Sequence, residues 1–268
     1  MTETQSNSLL SRSAQQAAKT IRRALGMKNL PKLDPRLAQM ERIFRAPPLT
    51  PDLTAAIKLI SPHHCDLAAS EEHRLIWEAD QNGSCWGEYE VLEPFLSRIP
   101  TDAKILEIGP GMGRSLVFFS KKRGWRGDQI YAYEGNGRTT KYTSLGPRFE
   151  DSFCGNIAML CHVLRYNDVR DVTIFDAENM NLAELPGRPY NLIYSFYSIG
   201  FHWSLEHFLD DLLPLLDERG TAIFTTSPDF QPFEGLQKLP YQLVDWKPAW
   251  PKGTTLKFIV VSKPARPV

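Results

Sequence analysis

The apolar positions of this chain fall into short runs that are separated by longer polar segments. Seven runs have the length and the β-branched or aromatic content of strands, and they cover residues 104–108, 129–133, 172–175, 190–195, 221–226, 241–246 and 255–261. Helix-sized segments separate the first five runs, which predicts parallel strands with helices on both faces of the sheet. The last two runs are too close for a crossover connection, so they should form an antiparallel hairpin at one edge.

The N-terminal third follows other patterns. Residues 1–30 contain no acid after Glu3, and their apolar positions recur at helical spacing, which predicts a basic amphipathic helix. A loosely docked terminal helix, a helix that lies on anionic lipid through residues 8–28 and a mitochondrial-type transit peptide all fit this composition. Residues 31–100 combine a proline-punctuated arm with an aromatic-rich helical cap, and residues 101–268 form the sheet domain.

Charge and cysteine content exclude several classes of protein. The chain has 31 basic and 31 acidic residues, so no net field attracts it to nucleic acid. The four cysteines show neither a C-x-x-C pair nor zinc-ligand spacing, which indicates reduced thiols in a cytoplasmic protein. We interpret Asp210, Asp211 and Asp229 as solvated or capping residues, and predict no metal. No apolar run approaches the ~18 residues of a membrane span, so membrane contact would be peripheral, at the inner face.

A glycine-rich loop follows the first predicted strand in the stretch KILEIGPGMGRS. Gly109, Gly111 and Gly113 lie between an apolar run and a helical pattern, and a strand, a glycine turn and a helix make half of a Rossmann-like unit. The spacing is G-x-G-x-G, with Arg114 where the dinucleotide fingerprint has its last glycine, so a pyrophosphate ligand is disfavoured. The glycines suit a tight turn, and they also let a ligand approach the backbone closely. The predicted fold is α/β: a Rossmann-like, seven-stranded, mostly parallel sheet with one antiparallel edge strand and a helical N-terminal extension.

Polar residues stand at the ends of the predicted strands, where ligands bind in such sheets. Glu134 ends the second strand and can accept hydrogen bonds from a ribose diol, although a helix cap or a solvated side chain is the alternative. Asp176 ends the third strand, where it and the backbone of Ala177 can face an adenine edge, with an Asx turn as the alternative. We assign Glu107 and Ser195, on the first and fourth strands, to the same site. Together these residues predict a nucleoside ligand.

Several motifs resemble those of one enzyme family, the class I S-adenosylmethionine-dependent methyltransferases. The similar segments are LEIGPGMGRS, YAYEGN, FDAENM, YNLIYSFYSIGFHWS and LLPLLDERGTAIFTT, and the resemblance covers roughly residues 72–262. It implies S-adenosyl-L-methionine as cofactor, with the glycine loop at its methionine part, Glu134 at the ribose and Asp176 at the adenine. The chain departs from the family at Asn191, where an acid is common, and in a longer connection that predicts an extra turn or lid within residues 138–170.

The segments SCWGEYEVLEPFL and SFYSIGFHWSLEHFL are similar to bacterial sugar O-methyltransferases. This resemblance implies methyl transfer to a hydroxyl of a sugar or glycan precursor, which could be lipid-linked. His202 follows the fourth strand and suits the task of general base, because imidazole titrates near neutral pH; a structural histidine is the alternative. Glu88 is the second candidate base. Trp86 and Tyr89 are interpreted as core or interface residues, with sugar stacking as the alternative.

Other functions fit parts of the same pattern. The acceptor could be another small molecule with an oxygen, nitrogen or carbon nucleophile. A non-catalytic nucleoside-binding protein of the same fold, or a nicotinamide-dependent oxidoreductase, is a further alternative, although the glycine spacing counts against the oxidoreductase.

Overall fold

The computed structural model describes residues 41–48, 71–135, 157–200, 203–226, 229–247 and 255–263. The chain divides between Gln39 and Met40, and every described residue belongs to the second unit. The predicted basic helix, most of the proline-punctuated arm, much of the predicted lid region and His202 lie outside the described residues. The expectations for those segments therefore stay predictions.

Helices and strands alternate along the described chain. The helices are α1 (Glu71–Leu96), α2 (Arg114–Arg123), α3 (Ile157–Tyr166), α4 (Leu209–Leu212) and α5 (Glu234–Gln237). The strands are β1 (Ile105–Ile108), β2 (Ile130–Glu134), β3 (Thr173–Asp176), β4 (Tyr190–Ser195), β5 (Leu216–Thr226), β6 (Tyr241–Trp246) and β7 (Leu256–Ser262). Each predicted strand is present, and β5 begins five residues earlier than its apolar run.

The strands form one sheet in the order β3-β2-β1-β4-β5-β7-β6. The first five strands in this order pair in parallel, whereas β7 runs antiparallel to both β5 and β6. The Rossmann-like fold and the hairpin at one edge are thus confirmed, with the reversed strand β7 inserted between β5 and β6. Because β1 lies between β2 and β4, the strand order reverses beside β1, which is the point where ligands bind in open α/β sheets.

Two hydrophobic cores cover the two faces of the sheet. All four side chains of β1 are buried, and they alternate between the cores, so that Ile105 belongs to the first core and Leu106 to the second. The first core also contains residues of α1, α2 and α3, and the second contains residues of α4. The helical cap α1 therefore shares its core with the sheet.

A short strap, residues 41–48, is held by side-chain amides and not by a strand. The backbone N–H of Phe44 donates to Asn82 Oδ1 at 2.9 Å, and Asn82 Nδ2 donates to the Phe44 carbonyl at 2.7 Å. Asn167 binds both backbone groups of Arg45 in the same way, at 2.8 Å each. Since Asn82 lies on α1 and Asn167 follows α3, the strap joins these two helices.

Candidate functional site

The glycine loop has the backbone conformation that glycine favours. Gly109, Gly111 and Gly113 have φ angles of 65°, 58° and 73°, in the left-handed region that costs other residues about 1–2 kcal/mol. A Cβ at Gly109 would lie 2.3 Å from Ser198 Oγ, and one at Gly113 would lie 2.7 Å from Leu160 Cδ1. The chain itself therefore approaches two of these glycines closely, and ligand approach at the loop stays a prediction.

Glu134 is joined to the glycine loop by its side chain. Its Oε2 accepts a hydrogen bond from the N–H of Gly111 at 2.6 Å, and its Oε1 accepts one from the N–H of Gly135 at 2.9 Å. Burial raises the pKa of this carboxyl to about 8, although the two backbone donors oppose the shift. Since each oxygen keeps a second lone pair, the side chain can still accept hydrogen bonds from a diol.

Asp176 lies beside Glu134, because the two residues are register partners at the ends of β3 and β2. Asp176 Oδ1 accepts from the N–H of Glu178 at 2.9 Å, and Oδ2 accepts from Asn179 Nδ2 at 2.8 Å. The N–H of Ala177 donates to the Glu134 carbonyl at 2.9 Å. The Asx-turn contact is thus present, and the adenine contacts of Asp176 and Ala177 stay predictions.

Glu107 is buried beneath the loop. Its two carboxylate oxygens accept hydrogen bonds from the hydroxyl of Ser115 and, at 2.8 Å, from that of Tyr194. Burial raises the pKa of Glu107 to about 7, and the two hydroxyl donors oppose the shift. The Glu107 carboxylate thus joins β1 to α2 and β4 from inside the core, where it stabilises the glycine loop from below.

Ser195 connects the ends of two strands. Its hydroxyl donates to the carbonyl of Ile108 at 2.8 Å and accepts from the N–H of Ile199 at 2.9 Å. These contacts hold the segment after β4 against the start of the glycine loop. The side chain is fully buried, so a direct ligand contact by Ser195 stays a prediction without support from this geometry.

Glu88, the second candidate base, is fully buried in an ion pair with Arg114. Arg114 Nη2 donates to Glu88 Oε1 at 2.6 Å, and Nη1 donates to Oε2 at 3.0 Å and to Cys85 Sγ at 3.0 Å. Burial raises the pKa of Glu88, and the guanidinium opposes that shift. The guanidinium also lies 5.5 Å from the ring centroid of Tyr197, in the segment after β4. Glu88 thus links the cap helix to the exit of the glycine loop.

Arg114, which stands where the dinucleotide fingerprint has its last glycine, has a structural role that the sequence pattern did not reveal. Arg114 is the first residue of α2, yet its side chain turns inward to Glu88, and its side chain is 15% exposed. The signal in the sequence was a single charge directly before the apolar run SLVFF. The structure buries this charge, and a buried charge needs a partner of opposite sign. The pairing residue could not be identified from spacing.

The structure describes the residues on either side of His202, up to Gly200 and again from Trp203. The N–H of Gly200 donates to the carbonyl of Trp203 at 2.7 Å, and Ile199 forms an isolated bridge with Trp203. These contacts bring together the described residues on either side of positions 201 and 202, beyond the carboxyl end of β4. The role of His202 stays a prediction.

Asn191, the departure from the family pattern, lies at the other end of β4. Its side-chain Oδ1 accepts from the backbone N–H of Lys104 at 2.8 Å, and its own N–H donates to the Lys104 carbonyl at 2.8 Å. The residue therefore pairs the amino ends of β1 and β4, away from the glycine loop.

The side chains of Trp86 and Tyr89, on the cap helix, pack on α2. The Trp86 ring is 5.3 Å from Phe118 between centroids, in an edge-on arrangement, and Lys122 Nζ lies 4.2 Å from the Trp86 centroid. Tyr89 contacts Phe118 and Phe119. These contacts agree with the interpretation of Trp86 and Tyr89 as packing residues.

The described residues offer neither a metal-ligand cluster nor a membrane-spanning helix. Within the described ranges, no three or more His, Cys, Asp or Glu side chains come together as metal ligands. None of the helices described in the structure combines the length and the apolar content needed to span a bilayer.

Comparisons with known proteins give likenesses of fold. No family model matches the chain, and no curated protein matches it. Among solved structures, a SAM-dependent methyltransferase from Aquifex aeolicus is 13% identical, with 66% of this chain and 89% of that chain covered and a TM-score of 0.44. Magnesium protoporphyrin IX methyltransferase from Synechocystis PCC 6803 is 13% identical over 69% and 83% of the two chains, with a TM-score of 0.43.

A third likeness covers less of its counterpart. TrmN from Thermus thermophilus is 12% identical, and the match covers 65% of this chain but 47% of TrmN, with a TM-score of 0.42. At such identities and TM-scores a likeness carries no information about activity or substrate. Functional conclusions therefore rest on the site itself.

Proposed function

We propose that this protein is an S-adenosyl-L-methionine-dependent methyltransferase. The observation that carries the proposal is the position of Glu134: its carboxylate is held by the Gly111 N–H at 2.6 Å, beside the point where the strand order reverses. Asp176 is its register partner on the neighbouring strand. Two adjacent acids and a glycine loop match the ribose, the adenine edge and the unphosphorylated tail of this cofactor.

The residues around the glycine loop fit such a ligand better than a dinucleotide. Arg114 is already paired with Glu88, so it presents no free charge to a pyrophosphate. Glu134 can accept hydrogen bonds from hydroxyls, and in its ionised form it would repel phosphate oxygens. This polarity supports a nucleoside without phosphate and counts against nicotinamide dinucleotide chemistry.

The acceptor we propose is a hydroxyl of a sugar or of a glycan precursor. When bound, the cofactor supplies a methyl group that is activated by a positively charged sulfur, and the acceptor oxygen takes this methyl as the carbon–sulfur bond breaks. His202, seven residues after the end of β4, would take the hydroxyl proton as general base. A neutral imidazole is required for this step, so activity should rise with pH through about 6.5.

Membrane contact is a separate part of the proposal. The basic residues 8–28 would bring the enzyme to anionic lipid at the cytoplasmic face, where a lipid-linked glycan precursor would be found. Deletion of residues 1–30 should then reduce sedimentation with anionic liposomes and leave cofactor binding unchanged. Equal sedimentation of both proteins would overturn this part alone.

Calorimetric titration tests the cofactor assignment. S-adenosylmethionine and S-adenosylhomocysteine should bind and NAD should not, and Glu134→Ala should lose roughly 1.5–3 kcal/mol of binding free energy, as expected for hydrogen bonds to a charged group. Binding of NAD alone, or unchanged affinity in Glu134→Ala, would contradict the proposal.

The catalytic part needs a methyl-transfer assay. Labelled S-adenosylmethionine is incubated with a panel of monosaccharides and glycans, and His202→Ala should lower turnover by roughly 10²- to 10⁴-fold at unchanged cofactor affinity. Cofactor binding without transfer to any acceptor would favour a non-catalytic nucleoside-binding protein. Transfer at the parent rate by His202→Ala would place the base elsewhere.

A further inference from the structure

Polar side-chain atoms without a partner collect at the carboxyl ends of β5 and β6. Trp246 Nε1, Thr225 Oγ1 and Thr226 Oγ1 are buried and have no hydrogen-bond partner among the described residues. Leaving a buried donor without an acceptor is costly, and most such atoms in proteins bind water or a ligand. This edge of the sheet is also where the proposed cofactor residues lie.

Trp246 and Thr225 face the same side of the sheet. Thr225 pairs with Phe258 of β7, and Trp246 pairs with Leu256, two residues earlier on the same strand. The Trp246 ring stacks on Phe258 with 5.3 Å between centroids. That side is the one covered by the cap helix α1, so the unpartnered atoms of Trp246 and Thr225 lie between sheet and cap.

The indole N–H of Trp246 lies beside Gly87, and we call the position between them the niche. A Cβ added at Gly87 of α1 would lie 3.4 Å from Trp246 Nε1, and apart from residues 86–88 and the nearby backbone of α1 no other described atom would lie within 4 Å of it. Tyr197 contacts the Trp246 ring at 6.1 Å between centroids, and Arg114, paired with Glu88, lies over the Tyr197 ring. These contacts connect Trp246 through Tyr197 to the Arg114–Glu88 ion pair.

The backbone at Tyr197 supports a functional interpretation of the niche. Its φ angle is 64°, which is uncommon for a residue other than glycine. Such strained positions concentrate at ligand sites, where the surrounding structure maintains them. Tyr197 thus holds its ring against Trp246 in a conformation that the surrounding packing must stabilise.

We propose that this niche is part of the acceptor site, and that the Trp246 N–H donates a hydrogen bond to one hydroxyl oxygen of the acceptor. The inference rests on the proposed function, because it requires the cofactor at the glycine loop. An indole N–H can only donate, so it selects an oxygen. The charges of Arg114 and Glu88 compensate each other, which suits a neutral hydroxyl and not a phosphate or carboxylate. A side chain at residue 87 would occupy the position beside Trp246 Nε1, so the acceptor hydroxyl would lie next to the Cα of Gly87.

Indole ¹⁵N–¹H resonances test this directly. The chain has six tryptophans, and loss of one signal in Trp246→Phe assigns the resonance of interest. Protein saturated with S-adenosylhomocysteine is titrated with methyl glycosides of glucose, mannose, galactose and rhamnose. The Trp246 resonance should move with at least one glycoside. The resonance of Trp125 is a matched control, since its Nε1 is also buried and unpartnered. Trp125 precedes β2, so it lies at the amino end of that strand and away from the carboxyl ends where Trp246 lies.

Gly87→Ala tests the niche without removing the tryptophan. Alanine is favoured over glycine in a helix interior, so this variant should be at least as thermally stable as the parent, yet the glycoside-dependent shift of Trp246 should disappear. A shift of equal size in Gly87→Ala would overturn the proposed niche. With an identified acceptor, Trp246→Phe should raise the KM of the acceptor about 3- to 10-fold, as for one lost neutral hydrogen bond, with less change in kcat.

The two proposals fail in different ways. If S-adenosylhomocysteine does not bind the parent, the proposed function is wrong. If it binds but no glycoside moves the Trp246 resonance, or all glycosides move Trp125 equally, the acceptor niche is wrong and the cofactor assignment stands.

Discussion

Ligand binding at Glu134 should release a proton, and this follows from the burial of its carboxyl. In the ligand-free protein burial raises the pKa of Glu134 to about 8, so about nine-tenths of the molecules carry a protonated side chain at pH 7. A ribose diol donates two O–H groups, and the ionised carboxylate is the better acceptor for both. Binding should therefore lower the pKa of Glu134 and expel its proton.

The size of the effect follows from the fraction that is ionised. If only the ionised form binds, affinity rises close to tenfold per pH unit below the pKa and levels off above it, which gives roughly a 50-fold increase between pH 6 and pH 8. At pH 7 about 0.9 proton should be released per bound ligand. Glu134→Gln, which cannot ionise, should lose both the pH dependence and the proton release.

The assay is calorimetry with 5′-methylthioadenosine, which carries the ribose and adenine but no group that titrates between pH 6 and 8. Titrations in buffers of different ionisation enthalpy give the number of protons released. Glu107→Gln is the matched control, because its carboxyl is also buried, with a pKa of about 7, but lies beneath the loop and should leave the proton release intact. A proton release that persists in Glu134→Gln, or is absent from the parent, would refute the assignment of Glu134 to the ribose.

Three further predictions concern stability and need only chemical denaturation. Gly109 and Gly124 both have a positive φ, but only at Gly109 would an added Cβ overlap another side chain. Gly109→Ala should therefore lose roughly 1–3 kcal/mol more of the free energy of unfolding than Gly124→Ala, and equal losses would argue against the close packing at Gly109. Burial raises the pKa of Glu107 from 4.5 to about 7, so the protonated side chain stabilises the folded protein below about pH 4.5. This contribution to the free energy of unfolding, on the order of 3 kcal/mol, should be lost as the pH rises through 7. Glu107→Gln should make the free energy of unfolding fall less over this range, and an unchanged pH profile would contradict the prediction. Asn82→Ala should cost roughly 3 kcal/mol or more, because it leaves buried strap groups unpaired, whereas the exposed Asn181→Ala should stay within about 0.5 kcal/mol; similar losses would argue against the amide pairing.

The sequence by itself determined the elements and the edge of the sheet where chemistry is expected. Strands are visible in a sequence because a buried strand needs a short apolar run, and β1 with its four buried side chains is an example. Short connections predict a hairpin because a crossover needs a dozen or more residues. Glu134 and Asp176 could be placed side by side because parallel strands bring their carboxyl ends to one edge.

Only the tertiary structure decided which side chains meet. The insertion of β7 between β5 and β6, the pairing of Arg114 with Glu88 and the position of the Trp246 N–H opposite Gly87 depend on residues far apart in the chain. Periodicity reports whether a position is buried, since burial repeats with the geometry of the helix or strand. It does not report the partner, because hydrogen bonds and ion pairs depend on distances of about 3 Å that only the packed chain defines.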